Sequence, residues 1–150
     1  METSLVGKYA IVGIGETGLD YHYTAESAAA QAESLRVHIE AARRTGLPLI
    51  IHARDADADM ARILTEEHRA GPYSCVMHCF SSGPDLAQAA LDLGFYLSMS
   101  GIATFPKSSD LREIFADAPL DRILVELADD RALVVDSLGN AADAGGGHQG

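Results

Sequence analysis

The sequence predicts an α/β protein, an incomplete parallel (β/α) barrel with about five of the eight βα units that close such a barrel. Three observations predict it. Short apolar runs alternate with stretches of helical period, the pattern that lays helices over a parallel sheet. Three runs, YAIVGIGETGLDYH, GLPLIIHARDAD and YSCVMHCFSS, lead into side chains able to hold a metal: Glu16, His52 and His78. A parallel barrel assembles its site in this way, from the C-terminal ends of its strands. Finally, 150 residues make one domain with a real core but fall short of the ~250 of a closed barrel.

Each element has its own signature. Residues 9–15, YAIVGIG, form a short β-branched run closed by glycine, a buried strand. Ala25 to Thr45 is a helix, with Thr24 as N-cap and Ser27 close behind. Ala28, Leu35, Ile39 and Ala42 make its apolar side, and Glu33, Arg36, Glu40 and Arg43 point outward. Gly46 ends it and Pro48 prevents its continuation. Leu47 to His52 is a second strand, and Ala56 to Ala70 a helix stopped by Gly71-Pro72. Ser74 to His78, Phe95 to Ser100 and Arg122 to Glu126 are three further strands. Pro84 to Leu93, closed by Gly94, and Asp110 to Asp117 are the helices between them.

The domain is expected to run from 1 to 126. Residues 127–150 diverge: LADDRALVVDSLGN holds one short apolar run, and AADAGGGHQG is a flexible, small-residue tail. A partial barrel leaves strand edges unpaired, so self-association through those edges is expected.

Composition narrows the partners. Twenty-two acids against eleven bases give a net charge of −11. The longest basic cluster is Arg43-Arg44, so nucleic acid would be contacted locally and with a metal's help, not across a broad basic face. No stretch approaches the roughly 20 apolar residues of a membrane span. The N-terminus lacks the basic region and apolar core of a signal peptide, so a cytoplasmic location is expected. Cys75 and Cys79 flank His78 at a spacing unlike a zinc knuckle and are expected to be buried thiols.

The polar residues within these blocks carry the chemistry. Glu16 sits in GIGETGLD, where glycines are expected to turn the chain and expose a carboxylate at a strand end. GIGETG also fits the dinucleotide fingerprint G-x-G-x-x-G. Against that stand an acid inside the phosphate loop, LDYHY where the helix should begin, and no acid in the ribose-binding place. His52 alone suits a core histidine; His78 repeats its setting, and with Glu16 the pair favours metal ligation. Zinc, manganese and magnesium all remain open. Arg54, two residues after His52, shares its strand direction and suits either a substrate phosphate or a structural ion pair. Asp55, Asp57 and Asp59 fit an acidic helix start. His22 lies at the edge of the first block, and His38, His68 and His148 lie away from all three.

Glu16 within GETGLD, His52 within PLIIHARDAD and His78 within MHCFSS resemble, in order and spacing, three blocks of the TatD family of metal-dependent deoxyribonucleases. FYLSMSGIATFPKSSDLREIF and PLDRILVE resemble the stretch before that family's last ligand, so the likeness spans roughly residues 9 to 126. It implies a TIM barrel of the metal-dependent hydrolase type and DNA as substrate. It implies two divalent ions and phosphodiester hydrolysis by metal-activated water. Glu16 would be shared between the ions as a catalytic carboxylate, with His52 and His78 holding one of them. The family's first-strand His-x-His has no counterpart, and Ala128 stands where its last Asp ligand falls, with Asp129 one step late. The chain thus looks truncated at both ends, with impaired activity expected. The alternative is a non-catalytic metal-binding barrel fragment.

Overall fold

The computed structural model describes residues 11–22 and 25–126, together with the backbone of 134–135 and 141–142. Five strands make one parallel sheet in sequence order: β1 (Ile14–Asp20), β2 (Leu49–Arg54), β3 (Cys75–Met77), β4 (Tyr96–Met99) and β5 (Ile123–Val125). Between them run α1 (Ala28–Thr45), α2 (Asp57–Ala70), α3 (Pro84–Asp92) and α4 (Ser109–Asp117). Because the order never reverses, right-handed crossovers put every helix on the same side of the sheet. That is the arrangement of a barrel wall, five units long, as expected from the sequence.

Burial alternates to match. Leu19, Leu49, Ile51, Cys75, Met77 and Leu97 are buried under the helices. They meet Leu35, Ile39 and Ala42 of α1, Met60, Ile63 and Leu64 of α2, and Leu86, Ala87 and Ala90 of α3. On the other face Ile50, His52, Val76, Tyr96 and Leu124 are only half-buried. In a closed barrel this face would be the interior.

The first two strands lie further along the chain than the sequence suggests. β1 runs Ile14–Asp20 instead of ending at Gly15, and β2 reaches Arg54 instead of stopping at His52. Pairing sets both limits: the ladder runs from Ile14 opposite Leu49 to Asp20 opposite Arg54, with a bulge between Ile14 and Thr17. The glycines therefore do not turn the chain; they let it lie close. A Cβ on Gly18 would stand 1.7 Å from the His52 carbonyl oxygen, and one on Gly15 would stand 2.6 Å from that of Ile50.

The start of α1 also differs. Ala25–Ser27 form a 3₁₀ turn and Ser27 is the N-cap; Thr24 lies outside the described residues. Arg36 and Arg43 do not point outward but face α2. Arg43 bonds Glu67 at 2.9 Å, and Arg36 bonds Glu67 and, at 3.2 Å, Glu66. Burial pushes the Glu67 carboxyl up, yet Arg43 and Arg36 outweigh it and hold the group below its ordinary range. Of the cysteines, Cys75 is buried as expected and Cys79 is only partly so.

Beyond Glu126 the described backbone forms a two-residue antiparallel ladder, β6 (Val134–Val135) with β7 (Ala141–Ala142). Ala128, Asp129, His148 and most of the expected tail lie outside the described residues. Among the described residues no helix is long and apolar enough to cross a membrane.

Candidate metal centre

Glu16 and His78 come together on the open face although they sit on strands separated by β2. The β1 bulge carries Glu16, and His78 follows β3 at the parity of Val76. The His78 amide donates to the Ile51 carbonyl at 2.8 Å, extending the ladder by one bond. Glu16 Oε2 then stands 3.2 Å from His78 Nε2.

The other edge of that ring meets a residue the sequence reading did not place in the site. Glu126 Oε2 lies 2.6 Å from His78 Nδ1, and Glu126 Oε1 accepts the Cys79 amide. Its side chain is only 13% exposed, and a carboxylate so enclosed needs both oxygens satisfied. Glu126 is itself held by its amide bond to the Met99 carbonyl. A signal for it was present: ILVE is a fourth apolar run ending in a metal-competent group.

The short contact to Glu126 favours the tautomer that carries the ring proton on Nδ1. With Nδ1–H donated to Glu126, a neutral His78 turns a bare Nε2 lone pair toward the Glu16 carboxylate. Two acceptors 3.2 Å apart repel unless a proton or a cation lies between them. Two donors at zinc's bond lengths, tetrahedrally placed, stand about 3.3 Å apart. Carboxylate–histidine–metal is also the usual way a ligating imidazole is oriented. The donor pair therefore fits a divalent ion.

His52 lies on the same face but turns to a different partner. Its Nε2 is 2.9 Å from Asp20 Oδ2, while Asp20 Oδ1 accepts the His22 amide at 3.0 Å. The His52 ring, then the His22 amide, hold the Asp20 carboxyl below its usual range, with Arg54 adding a smaller charge effect. Asp20 shares Glu16's parity in GETGLD, the sequence signal that marks it. The structure thus brings Glu16 to His78 and His52 to Asp20. Among the described residues no three His, Cys, Asp or Glu side chains group as a metal-holding set.

Arg54 is exposed at the end of β2, opposite Asp20 in register. With Asp55, Asp57, Ser81, Ser82 and Gly83 it lines a polar recess of about 510 Å³. The nearby acids have structural partners: Asp57 accepts the Gly83 amide at 2.8 Å, Asp59 the Tyr21 hydroxyl at 2.9 Å, and Asp55 stands 2.9 Å from His22 Nδ1. His38 bonds the Ser34 carbonyl and His68 packs edge-on to Tyr73 and Phe95, away from the site.

The profile of a family described as TatD related DNase matches residues 2–127. Among curated proteins, the metal-dependent hydrolase YcfH of Escherichia coli K12 is 46% identical over 122 residues, 81% of this chain and 46% of that protein. The 3'-5' ssDNA/RNA exonuclease TatD of Cronobacter sakazakii is 30% identical over 124 residues, 82% of this chain and 47% of that protein. Among solved structures, the TatD homologue YJJV of Escherichia coli K12 superposes with a TM-score of 0.71 at 29% identity, covering 81% of this chain and 45% of that one. The chain spans about half the length of the curated relatives it matches.

Proposed function

The chain belongs to the TatD family of metal-dependent hydrolases, and on that premise we propose that it binds a divalent ion at Glu16 and His78 and hydrolyses nucleic-acid phosphodiesters slowly. The observation that carries this reading is the Glu16–His78–Glu126 relay, in which the His78 ring stands between two carboxylates with Glu16 3.2 Å from Nε2. A bound divalent ion would supply the Lewis acidity that makes water nucleophilic near neutral pH and neutralises charge on an attacked phosphate. Glu126 keeps the proton at His78 Nδ1 and the Nε2 lone pair inward. His52, steadied by Asp20, stands ready on the same face as a further ligand. Arg54, beside Ser81 and Ser82, takes a neighbouring phosphate oxygen.

The slow rate follows from the ligand set. A pair of ions clamps both the attacking and the leaving oxygen, whereas the described residues supply one two-donor site. The same fact supports a second reading, a metal-binding module without turnover.

Thermal unfolding with zinc or manganese, beside a His78→Ala control, tests the site. An ion at 100 times its Kd stabilises the parent by about 2.7 kcal/mol, and the shift is lost in the variant. No His78-dependent shift would sink the proposal. Cleavage of a single-stranded oligonucleotide then separates the two readings. Divalent-dependent cleavage abolished by His78→Ala supports the hydrolase, and metal binding without cleavage supports the module. Turnover in the ordinary enzyme range of about 1–1000 per second would overturn the slow rate.

A further inference from the structure

Phe105 is 58% exposed, a large apolar side chain left in solvent at the end of the sheet that carries the site. It lies in the loop that leaves the C-terminal end of β4. Ser100, the first residue of that loop, accepts from Cys79 Sγ at 3.0 Å, one residue along from His78. A 3₁₀ turn, Gly101–Thr104, then carries the chain to Phe105. At about 2.0 Å of rise per residue, Phe105 sits roughly 10 Å from Ser100.

The loop is built to hold that position. Arg112 Nη1 donates to the carbonyls of Ala103 at 3.0 Å and of Phe105 itself at 2.7 Å. The Phe105 amide bonds Ile102 at 3.2 Å, and the Ser108 amide returns to Phe105 at 3.0 Å. Thr104 Oγ1 closes on Gly101 at 2.6 Å. An exposed aromatic on a braced loop loses little further freedom when something stacks on it, and pre-organisation of this kind favours binding. Lys107, also exposed, follows two residues later.

Charge narrows what would stack there. At a net −11, with Arg43-Arg44 the longest basic cluster in the sequence, charge alone gives little grip on a polyanion. A nucleic-acid substrate must draw its affinity from local contacts, and a nucleobase has a flat apolar face. Stacking on an aromatic side chain contributes at any base and does not depend on net charge.

We infer that Phe105 is a base-stacking platform for the nucleic-acid strand whose phosphate lies at the Glu16–His78 site, with Lys107 contacting the backbone beside it. This rests on the hydrolase reading above, and adds a residue that recognises a base. The platform serves an unpaired base, because the faces of a paired one are already stacked within the duplex.

The chain has no tryptophan, so Phe105→Trp creates a single fluorescent reporter at the platform. Leu120→Trp, at a position 86% exposed before the start of β5 and so at the opposite end of the sheet, is the control. A short single-stranded oligothymidylate should quench the indole of the Phe105→Trp protein and leave that of the Leu120→Trp protein unchanged. The same strand in a duplex, or an abasic strand of equal length, should quench the platform reporter weakly. By anisotropy Phe105→Ala should bind the single strand about 5- to 150-fold more weakly, Phe105→Tyr should bind like the parent, and all three should melt alike. Equal quenching by the abasic strand, no quenching at all, or undiminished binding by Phe105→Ala would overturn the platform. Metal-induced stabilisation that depends on His78 is read separately. If it persists while quenching fails, the metal site stands and the platform falls; if quenching holds without it, the reverse is true.

Discussion

Gly18→Ala tests how the site is built, and its cost follows from one distance. The added Cβ would lie 1.7 Å from the His52 carbonyl oxygen and 2.7 Å from its carbon. Opening the first contact to even 3.0 Å requires a movement of about 1.3 Å between β1 and β2, which stretches a neighbouring ladder bond of about 2.9 Å beyond any hydrogen bond. Two lost ladder bonds and the polar groups they leave unpaired cost about 3–5 kcal/mol. That is a large share of the ~5–15 kcal/mol that keeps a domain folded. The displacement falls at His52 and Asp20, which bond each other across the same two strands. Gly46→Ala is the comparator. It is left-handed at φ 70°, with nothing within 4 Å of an added Cβ, so it loses only about 1–2 kcal/mol to backbone strain. Urea unfolding followed by circular dichroism gives both values. If Gly18→Ala loses no more than Gly46→Ala, the close approach of β1 to β2 is not what positions the site.

Four other outcomes are expected. Glu126→Gln should weaken zinc or manganese binding about 10- to 100-fold, measured by titration calorimetry, with the ion still bound at Glu16 and His78. Ile39→Ala, at a fully buried position of α1, should lower unfolding stability by about 2–5 kcal/mol in urea. Because the folded-state pKa of Glu67 is depressed, its contribution is full above the ordinary 4.5 and fades as pH falls through the lower folded value. Glu67→Gln should therefore lower the melting temperature at pH 7 and converge with the parent in strong acid, as read from melting temperature against pH. Burial pushes the Cys75 thiol far up, while Cys79 is partly exposed. Ellman's reagent should label Cys79 in the native protein and Cys75 only on unfolding, as a peptide map would show.

How much of this was legible in the sequence depended on which physical signal carried it. The alternation of apolar runs with helical periods was enough for the five strands, the four helices and the single-sided sheet, because burial writes directly into residue type. Pairing register does not. β1 and β2 slid along the chain because the glycines of GETGLD accept the close approach of β2, a constraint visible only once both strands are placed. The same blindness explains the two missed carboxylates. Asp20 lies beyond the expected strand, which ends at residue 15, until β1 is known to reach it, and then it falls on the face of Gly18 and opposite Arg54. Glu126 reads as the end of the last strand, but parity with Leu124 turns it onto the open face, where it meets the His78 ring. His78 is thereby gripped by a residue 48 positions away, across a strand that contributes no ligand of its own. A site of this kind is specified less by its motifs than by the register that makes their side chains share one face. For that reason Gly18, which carries no chemistry at all, is placed to matter to the site as much as the histidine it lies against.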